Sequence, residues 1–174
     1  NSLNLNYKTK KLTLHLIQTI TASKRLLADN STVAVSKNWS RGTYKGQTNV
    51  TDLYGNFKLS NLFSLVSGVQ YINQNTDQSY KSISAFGPYD AVPIGSDSAK
   101  ANNFSLYSSL LLIDAKGFNA ELGFRYNKHS IYGSNTTYSF NPSYNIDENT
   151  RVFVNISSAY KVPSPYQSYS EYDN

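Results

Sequence analysis

The 174-residue sequence has no cysteine, no methionine, a single tryptophan and only 39% hydrophobic residues. Without cysteine there is neither a disulfide framework nor a thiolate metal site. A helix that crosses a membrane needs ~18 or more consecutive apolar residues. No such run exists, which excludes a transmembrane helix. Low hydropathy does not exclude a transmembrane barrel, because only alternate strand residues must face lipid. The sequence begins at Asn1 and contains no initiator methionine, no basic-then-apolar leader and no small-residue cleavage site. The chain is therefore expected to be a mature or excised piece.

Charge of one sign is also scarce. Sixteen Lys and Arg against eleven Asp and Glu give +5, but the basic residues are scattered. The tight groups are Lys8-Thr9-Lys10-Lys11 and Lys24-Arg25, and a solvated turn accounts for the first better than a phosphate footprint does. No nucleic-acid partner is expected. Catalytic chemistry lacks its parts as well. His15 and His129 fall in separate strand regions, and the Asp147-Glu148 pair sits in an expected turn. No nucleophile elbow of the G-x-S-x-G type and no phosphate loop is present. The reading is a non-enzyme with no catalytic residues, no metal ligands and no cofactor.

What the sequence does have is tyrosine, 15 of them, with 8 phenylalanines. Aromatics suit pleated, half-buried surfaces, and tyrosine joins an apolar ring to a polar tip at a membrane–water boundary. Apolar and polar residues alternate in segment after segment. Leu3, Leu5 and Tyr7 alternate with Ser2, Asn4 and Asn6, and Leu12, Leu14 and Leu16 with Lys11, Thr13 and His15. Ala120, Leu122, Phe124 and Tyr126 share one face while Asn119, Glu121, Gly123 and Arg125 share the other. Period two is the period of a strand.

Short polar turns are expected near residues 8–10, 60–61, 115–117 and 147–149. Longer polar connections are expected at 27–47 and 77–101, with a short one at 133–135. Turns after odd-numbered strands are short and most others long. Outer-membrane barrels keep short turns on the periplasmic side and longer loops outside. The expected fold is an all-β, antiparallel transmembrane barrel fragment of about eight strands, wound as an up-and-down meander. Pro163 and Pro165 lack backbone donors and should end pairing of the eighth strand. Glycines 68 and 123 should leave room on the inward face. Asp52, Lys58, Gln70, Glu121 and Arg125 are expected to face the lumen. Trp39, Arg41, Tyr44, Tyr80, Phe86 and Tyr89, in the outer connections, are candidates for stacking on a ligand ring. Rival readings are a small eight-stranded barrel with a structural or adhesive role, and a soluble β-sandwich binding module.

Three strings of residues carry a family resemblance. They are Gly123-Phe124-Arg125-Tyr126-Asn127, Asn141-Pro142-Ser143-Tyr144 and Ser157-Ser158-Ala159-Tyr160-Lys161-Val162-Pro163-Ser164-Pro165-Tyr166-Gln167. Their order resembles the G-x-R-Y-(D/N), N-P-x-(Y/L) and S-x-x-(Y/F)-(K/R)-x-P-(S/T)-x-x-(E/Q)-L segments of TonB-dependent outer-membrane receptors, the vitamin B12 and siderophore branch above all. Pro165 and Ser168 depart from the usual Leu or Phe and Leu. The specific match covers residues 117–169; residues 1–101 match as generic barrel. The resemblance implies a bacterial outer-membrane location and a 22-stranded barrel filled by a plug domain. It also implies a small-molecule ligand such as cobalamin or a ferric siderophore, and uptake energised by the inner-membrane TonB complex. Residues 1–174 would then be a partial barrel domain without the plug or the C-terminal strand, in contact with outer-membrane lipid.

Overall fold

The computed structural model describes residues 1–30 and 38–169. These residues form ten strands and one short helix. In chain order they are β1 (Ser2–Lys8), β2 (Leu12–Asn30), β3 (Trp39–Lys58), β4 (Phe63–Ser84), β5 (Gly87–Asp90) and β6 (Lys100–Ala115). There follow β7 (Phe118–His129), β8 (Gly133–Asn145), β9 (Arg151–Phe153), β10 (Ile156–Ser157) and α1 (Pro165–Tyr169). The strand order is β1-β2-β3-β4-β6-β7-β8-β10, with β5 paired to β4 and β9 to β8. Neighbours run antiparallel wherever their register is defined. The all-β antiparallel meander read from the alternation is the observed fold.

The turns are closed by side chains that imitate a backbone acceptor. Thr9 Oγ1 takes the Leu12 N–H at 3.0 Å, and Ser60 Oγ takes those of Leu62 and Phe63 at 3.1 and 3.0 Å. At the β6–β7 turn Asp114, Lys116 and Gly117 all adopt positive φ, and Asp114 Oδ1 accepts the Gly117 N–H at 3.2 Å. The Asn149 N–H donates to Asp147 Oδ1 at 2.8 Å and, with the Thr150 side chain, holds that carboxyl below its ordinary range. The Asp147-Glu148 pair thus belongs to a solvated turn.

Several expected boundaries are corrected. Most of the connection expected at 27–47 is strand: β2 continues to Asn30 and β3 begins at Trp39, while residues 31–37 lie outside the described set. In the stretch expected as a loop at 77–101, β4 continues to Ser84 and β5 returns along it, with Lys81 opposite Asp90 and Ser84 opposite Gly87. Both faces of these stretches are mostly polar, with apolar residues such as Leu27 and Ile83 too sparse to alternate, so the hydropathy pattern fades while the backbone still pairs. Thr and Tyr remain good strand residues there. The short connection lies at 130–132 rather than 133–135, which open β8. The eighth expected strand is split into β9 and β10, both paired to β8. Pairing does end before the prolines, and Pro165 starts α1.

The chain divides into two compact units, the first made of Asn1–Thr19, Val50–Ile72 and Asn102–Val162. The second is made of Ile20–Asn49, Asn73–Ala101 and Pro163–Asn174. In the first unit burial runs opposite to that of a water-soluble domain. On β7, Leu122 and Phe124 are 58% and 54% exposed, whereas Asn127 and His129 are 6% and 5% exposed. Across β6, β7 and β8 the register aligns Leu110, Leu122 and Phe140 in an exposed row. The adjacent row, Ser109, Gly123 and Ser139, lies on the covered face. An exposed Leu or Phe forgoes roughly 1.5–3 kcal/mol relative to burial. Whole rows of them are stable where the solvent is lipid.

Candidate functional site

The covered polar face of the first unit carries one connected ladder. Its strands are β3, β4, β6 and β7, and their two-residue period brings Asp52, Gln70, Tyr107 and Arg125 onto one face. Tyr107 Oη donates to Asp52 Oδ1 at 2.7 Å, and Gln70 Nε2 donates to Asp52 Oδ2 at 3.1 Å. Arg125 Nη2 donates to Gln70 Oε1 at 2.7 Å and to Ser105 Oγ at 2.9 Å, and Arg125 Nε to Asn127 Oδ1 at 2.9 Å. Ser105 Oγ in turn donates to Asn127 Oδ1 at 2.8 Å. The guanidinium carbon lies 5.5 Å from the centre of the Tyr107 ring, a cation–π distance. Carboxylate and guanidinium are thus joined through neutral groups rather than face to face.

Of the five polar residues expected on this face, the structure brings Asp52, Gln70 and Arg125 together. Glu121 stands apart and accepts from Asn141 Nδ2 at 3.4 Å, and Lys58 is exposed beside the β3–β4 turn. Tyr107, Ser105 and Asn127 were missed by the sequence reading. In β6 the run Leu110-Leu111-Leu112-Ile113 hides the alternation, although Ser105, Tyr107 and Ser109 keep the period.

The glycine expected to open space at 68 does the opposite. A Cβ on Gly68 would lie 2.5 Å from Tyr54 Cβ, 2.7 Å from the Leu53 carbonyl oxygen and 2.8 Å from the Tyr107 ring. The missing side chain lets the Tyr107 ring close over β4 and reach Asp52. Gly68→Val should therefore destabilise the fold by roughly 1–3 kcal/mol as an overpacked site. Urea unfolding in detergent micelles checks this, and a wild-type midpoint would refute it. Gly123 is similar, its Cβ position meeting Ser139 Oγ and Ser109 Oγ.

The histidines are not isolated surface groups. His15 Nδ1 lies 2.6 Å from Asn6 Oδ1, its Nε2 lies 3.2 Å from Asn56 Nδ2, and its ring stacks on Tyr54 at 4.6 Å. His129 Nδ1 accepts the Ile131 and Tyr132 N–H groups at 3.2 and 3.3 Å and so closes the β7–β8 turn. Each histidine organises strands or a turn. Among the described residues no group of three His, Cys, Asp or Glu side chains is placed to hold a metal.

The second unit carries the aromatic candidates. Tyr80 and Tyr89 meet across the β4–β5 hairpin with ring centres 6.4 Å apart, beside the 2.6 Å Lys81–Asp90 ion pair. Phe86, at the hairpin tip between Ser84 and Gly87 (φ +101°), is fully exposed. Trp39 and Arg41 are exposed at the start of β3, and Tyr44 is half-buried with its ring lying over Gly42.

The profile of the family described as TonB dependent receptor-like, β-barrel, matches residues 1–174. The chain belongs to that family. No curated protein matches it. TonB-dependent receptor barrels are outer-membrane transport proteins rather than enzymes, and the antiparallel meander is their wall architecture. A soluble sandwich would bury its apolar face, so the exposed Leu110–Leu122–Phe140 row removes that alternative. In complete receptors of the family the barrel works with a plug domain, a bound ligand and TonB.

Proposed function

We propose that residues 1–174 are part of the barrel wall of an active-transport receptor that captures a scarce ligand for TonB-energised uptake. The reversed burial carries this reading, with apolar rows turned to the surroundings and a polar ladder covered. In this reading the exposed rows meet outer-membrane lipid. Asp52, Lys58, Gln70, Glu121 and Arg125 face the lumen, where water or the plug domain meets them. The strand path starts at β1 and ends at β10. Unpaired backbone groups in lipid cost several kcal/mol each, so further strands of the receptor complete the barrel. The vitamin B12 and siderophore resemblance at residues 117–169 supports a cobalamin or ferric siderophore-like ligand.

The exposed aromatics Trp39, Phe86 and Tyr89, with Arg41, Tyr44 and Tyr80, form the capture surface. Stacking contributes roughly 0.5–1.5 kcal/mol per ring. A Trp39→Ala/Tyr89→Ala variant of the intact receptor should therefore bind its ligand about ten-fold more weakly. Radiolabelled ligand binding on whole cells, with and without TonB, provides the measurement. Unchanged affinity at normal surface expression would sink the capture-surface assignment, and uptake indifferent to TonB would sink the transport reading.

A further inference from the structure

On the exposed face of the first unit, a groove of about 520 Å³ crosses β3, β4 and β6. Its floor is made of small residues, Gly55 on β3, Ser67 on β4 and Ser108 on β6. The two-residue period sets Gly55 between exposed Leu53 and half-buried Phe57, and Ser108 between exposed Leu106 and Leu110. Leu14 and Phe57 wall the groove on one side, Leu106 and Phe124 on the other. Gly55 keeps the floor low: a Cβ there would lie 2.8 Å from the Phe57 ring and 3.1 Å from Leu14 Cδ2. Ser67 Oγ donates to the Tyr107 carbonyl at 3.2 Å, and Ser108 Oγ to the Val66 carbonyl at 3.3 Å. Both hydroxyls are thereby met by strand backbone, and no charged residue lines the groove. Leu14 belongs to β2, which begins at Leu12, directly after the turn that carries Lys8, Lys10 and Lys11. All three lysines are exposed, and among the described residues none of them makes an ion pair.

We propose that the groove seats one hydrocarbon chain of an anionic phospholipid whose headgroup phosphate lies at the Lys8–Lys11 turn. Hydrophobicity alone does not select this occupant, because lipid tails are as apolar as leucine. Close contact selects it. A recess that no chain enters forfeits dispersion along its lining, whereas a chain laid in it is touched by the floor and both walls. The groove continues the exposed row of Leu110, Leu122 and Phe140, so the medium at its mouth is the one those residues meet. The headgroup follows from charge. Leu14 is four residues from Lys10, at most roughly 14 Å of extended strand. Lysine stems lie along apolar surface and carry their ammonium groups out to the interface. Three such cations, with no carboxylate in the turn, favour a phosphate that has no amine of its own beside it. The inference rests on the barrel-wall reading for the lipid outside the wall. In that reading the short turn puts this lipid in the periplasmic leaflet.

The test is native mass spectrometry of the intact receptor, released from detergent after equilibration with phosphatidylglycerol or phosphatidylethanolamine of identical chains. Ser67→Leu/Ser108→Leu fills the floor with apolar side chains, and Ser67→Ala/Ser108→Ala keeps it open. Lys8→Gln/Lys10→Gln/Lys11→Gln removes the charges without touching the groove. Heat-dependent gel migration confirms that each variant is folded. Wild type should retain a single phosphatidylglycerol, about ten-fold in excess over phosphatidylethanolamine. The alanine variant should keep that adduct and the leucine variant should lose it, while the glutamine variant should retain the two lipids equally. Equal retention of both lipids by wild type, or an undiminished adduct in the leucine variant, would overturn the site. So would displacement by excess glycerol phosphate, which has the headgroup chemistry without a chain. A receptor dimer that only the leucine variant loses would give the groove to a second copy instead. TonB-dependent uptake is measured alongside. Intact uptake without lipid selectivity removes the lipid site alone, and selective retention with uptake indifferent to TonB removes the transport reading alone.

Discussion

Phe140→Lys should destabilise the folded protein by about 2–4 kcal/mol, while Asn141→Lys, one residue along the same strand, should cost about 0–1 kcal/mol. The two side chains leave β8 on opposite faces. Phe140 completes the exposed row with Leu110 and Leu122, and Asn141 pairs with Glu121 across the β7–β8 ladder. A lysine at 140 would place its charge among apolar neighbours in a solvent without hydrogen-bonding capacity, a cost of roughly 2–4 kcal/mol at mid-bilayer. At 141 the same charge would stand beside a carboxylate on the polar face. Urea titration of protein folded into lipid vesicles, followed by heat-dependent gel migration, measures both. Equal costs at the two positions would contradict a wall with one lipid face. In water the order should narrow or reverse, because exposed phenylalanine is then the unfavourable group.

This contrast was legible in the sequence wherever one face is apolar. Between Asn119 and Tyr126 the period of two is unbroken, and the register of β6, β7 and β8 follows it residue by residue. Where both faces are polar the pattern had nothing to display. The ends of β2 and β4 and the β5 hairpin therefore read as loops in the sequence, although Thr, Ser, Asn and Tyr pair there as well as elsewhere. The polar ladder was half legible. Asp52, Gln70 and Arg125 can be assigned to one face by counting, but their meeting depends on how far neighbouring strands slide past one another. That slide is set by turn lengths and by register shifts such as the one between Leu112 and Ala115. Tyr107 was hidden because its strand continues into four consecutive apolar residues. The role of Gly68 was inverted for a related reason. A glycine in a strand signals close approach, but not whether the approaching group is water or a tyrosine ring.

Arg125→Met should cost about 2–3 kcal/mol, and the double variant Arg125→Met/Asp52→Asn should cost less than the sum of the single changes. Methionine keeps the stem of the side chain and removes the charge and its donors. Gln70 Oε1 and Asn127 Oδ1 then each lose a donor, and Asp52 loses the positive charge that reaches it through Gln70 and Tyr107. Breaking a fully buried ion pair costs roughly 3–5 kcal/mol. Here both charged residues are half-buried and joined through neutral groups, so water offsets part of the loss. Asp52→Asn retains an acceptor for Tyr107 Oη while removing the charge that Arg125 balances. Once that charge is gone, losing the guanidinium no longer leaves a carboxylate uncompensated. A coupling of about 1 kcal/mol is therefore expected, inside the 0.5–3 kcal/mol typical of residues in one network. Unfolding free energies of the four proteins in one detergent close the cycle. Strict additivity would show that Gln70 and Tyr107 transmit nothing and that the ladder is a set of separate contacts sharing a face.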